Sequence, residues 1–189
     1  QSRFDLFDVK TSAAKDGDSY VINGLKSVVF GAGVATHIII AARTSGDQRS
    51  KKGITLFLAA IGLQGITLQN YPTIDEYRAS EVIIENLKVS KDSILGKVDE
   101  AYDAIEEEVD KSTIAACAEA LGVLGVLKDA TTDYCKNRKQ FGQPISKNQV
   151  IQFRLVDMMM EYEQVKSILY MAITSDLSNP DERRKSVSA

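Results

Sequence analysis

The chain has no tryptophan, one histidine, two cysteines and three prolines among its 189 residues. With His37 alone, neither a histidine metal cluster nor a Ser-His-Asp triad can be assembled from its own side chains. Cys117 and Cys135 lack both metal-ligand spacing and disulfide-scaffold density, so a reducing cytoplasm is the expected setting. The formal net charge of −3 leaves no cationic excess to draw nucleic acid. No apolar run approaches the roughly 18 residues that suggest a membrane span. What remains is an ordinary globular balance, 44% hydrophobic and 26% charged.

Two periodicities divide the chain. Up to Gly96 the pattern is that of strands. Asp18 to Ile22 and Lys26 to Phe30 flank Asn23-Gly24, the dipeptide most favoured in tight hairpins. Thr36 to Arg43 carries Ile38-Ile39-Ile40 and reads as a strand buried on both faces. Further strands are expected at Gly53 to Ala60, Gly65 to Tyr71 and Arg78 to Val89. With no helix between them, these point to a small antiparallel barrel or sandwich. Past Gly96 the period becomes helical. Asp99 to Lys139 contains no proline and reads as one very long helix or two abutting ones, with a stripe through Ile114, Cys117, Leu121, Leu124 and Leu127 or Lys128. Its other faces are rich in Ala and Gly. A second helix, Lys147 to Leu177, sets Ile151, Leu155, Met158, Tyr162, Val165 and Leu169 at bundle-seam spacing. The fold class is therefore α+β: residues 1–96 form the β part, and residues 97–189 supply long antiparallel helices. Glu106-Glu107-Glu108 reads as a solvated helix start, and Met158-Met159-Met160 as packing.

Between the two helices lies Tyr134 to Ile145, with Gln149 just beyond. Arg138 offers a planar fork of donors suited to phosphate oxygens, and Phe141 can cover a flat heterocycle. Together they suit a phosphate-bearing cofactor such as a dinucleotide. Plainer readings stand beside this one. Ser146 and Gln149 fit an S-x-x-Q capping box, Phe141 can fill the space beneath a turn, and Arg138 can be a solvated charge at a helix C-terminus.

Three segments, Thr11 to Lys26, Arg78 to Gly96 and Tyr134 to Gln149, keep an order and separation that resembles the acyl-CoA dehydrogenase family of flavoproteins. The resemblance runs from about Phe4 to Ser175. Through Ala118 to Gly122 and Arg138 to Gly142 it looks most similar to the small-subunit type of pimeloyl-CoA dehydrogenase. It implies a middle β-domain at residues 1–96, followed by the first two helices and the start of the third of a four-helix bundle. It also implies α,β-desaturation of an acyl-CoA thioester, with FAD as hydride acceptor, a homo- or hetero-oligomer built through the helices, and an electron-transfer acceptor. By resemblance Arg138 binds the FAD diphosphate of the paired subunit, Phe141 packs near the adenosine and Gln149 makes a polar contact.

The chain departs from the family in three places. The Trp-Ile-Thr segment that usually lies against the isoalloxazine is replaced here, Val28 and Phe30 taking the Trp and Thr places. A backbone N–H of Phe30 or Gly31 can stand in for the missing hydroxyl, or Gly31-Ala32-Gly33 is simply a turn. Of the family's Gly-Ser-Asp stretch only Asp5 survives, after Arg3 and Phe4. Ser112 occupies one of the family's two positions for the catalytic base, and the other falls beyond Ala189. Thr113 replaces an arginine, leaving Lys111 either to recognise the CoA part of the substrate or to be a solvated helix lysine.

The chain opens on Gln1 and stops soon after a helix start at Asn179, Pro180, Asp181 and Glu182. From this it is expected to be an internal fragment of a longer protein. It is expected to be inactive alone, with a non-catalytic subunit of a heteromeric dehydrogenase and a bare assembly module as the alternatives.

Overall fold

The structure, a computed structural model, describes residues 4–188. Its β part is one seven-stranded sheet built from β1 (Ser12–Asp16), β2 (Ser19–Phe30), β3 (His37–Arg43), β4 (Ile54–Ala60), β5 (Ile66–Pro72), β6 (Arg78–Ser90) and β7 (Ile94–Leu95). The spatial order is β5-β6-β2-β1-β3-β4-β7. All pairings are antiparallel except β1 with β3, which meet in parallel at Ser12 and Arg43. The two edge strands do not pair with each other, so the sheet never closes into a barrel. It bends over itself instead. Tyr20 on β2 and Phe57 on β4 have two strands between them in that order, yet their ring centroids are 5.2 Å apart. Phe57, Ile22, Ile40, Val82, Ile84 and Leu87 fill the space between the two faces and are fully buried.

The expected hairpin at Asn23-Gly24 is absent, because β2 runs straight through it. The turn falls earlier, at Gly17-Asp18, between the paired residues Asp16 and Ser19. Asn23 and Gly24 instead face a bulge in β6, where Asn86 adopts φ 51° and donates its N–H to Asn23 Oδ1 at 2.7 Å. Gly24 is needed there because a Cβ would come within 2.6 Å of the Thr11 hydroxyl. The isoleucine run of β3 is also not buried on both faces. Ile40 is fully buried, whereas Ile39, pointing the other way, is 59% exposed.

A second apolar cluster joins Val9, Ile54, Ala101 and Tyr102. Beside it, the Arg43 guanidinium donates to the carbonyls of Phe7, Val9, Gln48, Ser50 and Lys52. Main-chain segments on both sides of β3 are thus tied to one cation. Because Tyr102 belongs to this cluster, the compact β unit ends at Glu106, and a helical unit begins at Glu107.

Helix α1 (Tyr102–Asn137) is a single helix of 36 residues. After β8 (Lys139–Gln140) and β9 (Gln143–Pro144) come α2 (Gln149–Thr174) and α3 (Pro180–Ser188). Within the helical unit Ile114, Leu169 and Ala172 form the buried cluster, with Leu121, Leu177 and Val187 against it. Gly125 lets the helices approach closely, since a Cβ there would touch the Tyr162 ring at 3.4 Å. Lys128 Nζ caps that ring at 5.0 Å. The α1 seam therefore runs through Lys128, while Leu124 and Leu127 of the expected stripe are exposed. On α2 the seam holds through Ile151, Leu155, Met158, Tyr162 and Leu169, whereas Val165, Met159 and Met160 face outward. A buried ion pair, Arg183 Nε to Asp110 Oδ2 at 2.8 Å, ties α3 to α1.

Candidate functional site

The corner between α1 and α2 is a small β-hairpin. β8 and β9 pair as Lys139 with Pro144 and Gln140 with Gln143, leaving Phe141 and Gly142 as a two-residue loop. Both loop residues have positive φ, 52° and 81°, as a tight hairpin turn of the primed type demands. Glycine adopts that backbone freely, but phenylalanine does so only at a cost in strain. Nothing beneath the ring repays that cost, for Phe141 is wholly exposed at 102%. The reading in which it fills space under a turn is excluded. Arg138 sits where α1 ends, its N–H bonded to Tyr134 O and its carbonyl accepting from Ile145 N, which fixes the backbone on either side of the hairpin. Its guanidinium is exposed and has no hydrogen-bond or ion-pair partner among the described residues.

Gln149 is the first residue of α2, with Asn148 as its cap and no side-chain capping bond. The Ser146–Gln149 capping box does not form, because a 3-10 turn at Ile145–Lys147 carries Ser146 away from the cap position. The Gln149 side chain is exposed and unpartnered among the described residues. An unpaired planar cation, an exposed ring and a free carboxamide thus share one rigid corner. This donor set fits a dianionic diphosphate flanked by a flat heterocycle.

The β unit holds the other expected contacts. Phe30 closes β2 and is 63% exposed. Gly31 follows in a left-handed turn at φ 71° and donates its N–H to Arg78 O at 3.2 Å. Antiparallel alternation then places Val29 opposite Ser80 in a bonded pair and turns the Phe30 N–H away from β6. On that side β1 pairs with β2 only as far as Asn23. Of the two amides, Phe30's is the one aimed outward, and Gly31 supplies the turn. Asp5 pairs with Arg49 through one carboxylate oxygen, while the other, Oδ1, is buried and has no partner among the described residues.

Two expected residues are occupied with their own helix. Lys111 pairs with Glu107 at 2.7 Å and Glu108 at 3.2 Å, and Glu107 first, then Glu108, raise its amine above the ordinary lysine range. The Ser112 hydroxyl donates to Glu108 O one turn back. Two polar residues escaped the sequence reading. Lys26 is half-buried, donates to Ala41 O at 2.7 Å, and burial lowers its pKa to about 8. Glu81 gathers donors from β2 and β5.

The family profile for the acyl-CoA dehydrogenase middle domain matches residues 1–87, and that for the acyl-CoA dehydrogenase C-terminal domain matches residues 102–189. A 3-(aryl)acrylate reductase of Clostridium sporogenes is 33% identical over 167 residues, which is 87% of this chain and 44% of that protein. The human mitochondrial short-chain specific acyl-CoA dehydrogenase is 32% identical over 165 residues, 86% of this chain and 40% of its own length. Butyryl-CoA dehydrogenase of Megasphaera elsdenii superposes with a TM-score of 0.78 at 30% identity, covering 87% of this chain and 44% of that structure. The chain spans less than half the length of these relatives, and no helix among its described residues is long and apolar enough to cross a membrane. It belongs to the acyl-CoA dehydrogenase family.

Proposed function

We propose that this chain is the cofactor-holding part of an FAD-dependent acyl-CoA dehydrogenase that introduces an α,β double bond into an acyl-CoA thioester. The observation that carries the reading is the unpaired Arg138 guanidinium beside the outward Phe141 ring. Arg138 would hold the diphosphate of an FAD bound by a second copy of the chain, Phe141 would cover its adenosine, and Gln149 would add a polar bond. The outward N–H of Phe30 would face the isoalloxazine where the family uses a hydroxyl. When bound, FAD supplies hydride acceptance. The chain's own residues supply binding and orientation. Ser112 cannot remove the α-proton, since a hydroxyl bonded to its own helix is no carboxylate base. In this reading the proton acceptor is a carboxylate elsewhere than position 112, and residues 1–189 alone are expected to turn over no acyl-CoA. A cytoplasmic setting and an electron-transfer acceptor complete the reading.

Arg138→Ala should weaken FAD binding to the intact protein about tenfold to a hundredfold, the worth of one charge-assisted phosphate contact, as measured by quenching of flavin fluorescence. Arg138→Lys should recover part of the loss, because it restores charge without the fork. An intact protein that purifies colourless, takes up no FAD and reduces no electron acceptor with any acyl-CoA would overturn the proposal.

Val28 and Phe30 in the flavin-facing places, with serine at 112, favour a second reading as the non-catalytic subunit of a heteromeric dehydrogenase. Bleaching of the intact protein's own flavin by an acyl-CoA, in the absence of any partner, would exclude it.

A further inference from the structure

Besides the bulge of β6 opposite Asn23 and Gly24, β2 leaves regular pairing with β6 at a second place. Between Lys26↔Val82 and Val29↔Ser80 the register slips, with the extra residue on β2. Val28 stands in that bulge at φ 56°. A left-handed backbone is costly for a β-branched residue and persists only where the surroundings enforce it. The enforcement comes from one side chain. The Val28 N–H donates to Glu81 Oε1 at 3.2 Å, and the Tyr71 hydroxyl donates to the same oxygen at 3.0 Å. The Ser27 side chain also bonds this carboxylate and is the foremost cause holding it below the ordinary glutamate range. Strand pairing cannot do this work here, because the bulge has taken Val28 out of the ladder.

The same β5–β6 pair secures the far end of the segment. Arg78 O receives the Gly31 N–H, and Asn70 Oδ1, which accepts from the Ser80 hydroxyl at 2.6 Å, lies where a Cβ on Gly33 would be 3.0 Å away. Residues 27 to 33 are thus held at both ends, and the only charged group holding the strained end is Glu81 among the described residues.

We propose that Glu81 is a positioning residue: its carboxylate clamps the left-handed Val28 and so sets the direction in which the Phe30 N–H and the Val28 side chain meet the flavin ring. The proposal rests on the flavin reading above for what the segment meets, and on the hydrogen bonds alone for the clamp. Glu81 itself touches no reacting atom.

The test uses the intact flavoprotein and its flavin-free form. In Glu81→Ala the Val28 amide should exchange with solvent about tenfold faster in the flavin-free protein, and FAD should bind about tenfold more weakly with a shifted visible spectrum. Glu81→Gln keeps an acceptor oxygen and should stay within about threefold of the parent on both measures. Adding Val28→Gly to Glu81→Ala should recover most of the FAD affinity, since glycine adopts the left-handed backbone unaided. Should Glu81→Ala be too unstable to purify, Tyr71→Phe loosens the same carboxylate and should speed Val28 exchange in the same direction. Unchanged Val28 exchange in these variants overturns the clamp, and faster exchange with unaltered FAD affinity and spectrum overturns its role in positioning. A parent protein that binds no FAD fails the functional reading instead, while the exchange comparison still reports on the clamp.

Discussion

The β unit and the helical unit solve the burial problem to different degrees. In the first, six large apolar residues from β2, β3, β4 and β6 are at most 1% exposed, and a bent sheet encloses them. In the second, the cluster is Ile114, Leu169 and Ala172, while Val123, Val126, Leu127, Phe153, Val156, Met159, Tyr170 and Met171 stand more than half exposed. A two-sided sheet can close a core by folding over; two antiparallel helices share one seam and leave the rest of their apolar surface outside. The β unit leaves apolar side chains outside as well, Phe30, Val34, Ile39 and Ile74 among them, so the contrast lies in the size of the enclosed core.

The sharpest way to break this contrast is truncation in each part. Phe57→Ala should cost the 189-residue chain about 3–5 kcal/mol by opening a cavity among Tyr20, Ile22 and Ile40, whereas Val126→Ala should stay within about 0.5 kcal/mol. Urea unfolding curves for both variants check this, and equal losses would erase the distinction. Next in size is the buried ion pair of the helical unit. Arg183→Ala should cost about 3 kcal/mol, because it leaves the Asp110 carboxylate, 15% exposed, without its cation; thermal unfolding monitored through the helices gives the reading.

The smallest expected effect has the opposite sign. The Lys26 amine is charged in both folded and unfolded chains below pH of about 8, so the cost of burying it is complete there. Between about 8 and its ordinary 10.5, the folded chain sheds the proton first and stability rises with pH. Lys26→Met should stabilise the chain at pH 7 by roughly 1–3 kcal/mol and abolish that rise. Denaturation midpoints taken across the window are the check.

What could be read from sequence was what repeats locally. Alternation and glycine punctuation located most strands of the sheet, and three-four spacing located α2. The Asn23-Gly24 error shows the limit. That dipeptide serves a hairpin turn or a bulge equally well, and the choice was made by Asn86 and Thr11, residues far off in the chain. The Arg138–Gln149 corner was legible as a set of residue types. Its hairpin was not, because two-residue strands carry no period and phenylalanine is a poor residue for positive φ. Polar side chains that act across long separations were invisible: Lys26 bonds 15 residues away, Glu81 53 away and Arg183 73 away.

The shortness of the loop carrying Phe141 has one more consequence. Two residues pinned between paired strands leave the loop backbone little slack, so the point from which the ring projects is set before anything arrives. A molecule that received the ring would have to place its recess at that point, and less backbone freedom would be lost than with a longer loop. Lengthening the loop by one residue would move that point, so any recognition through the ring would depend on loop length as well as on the ring itself.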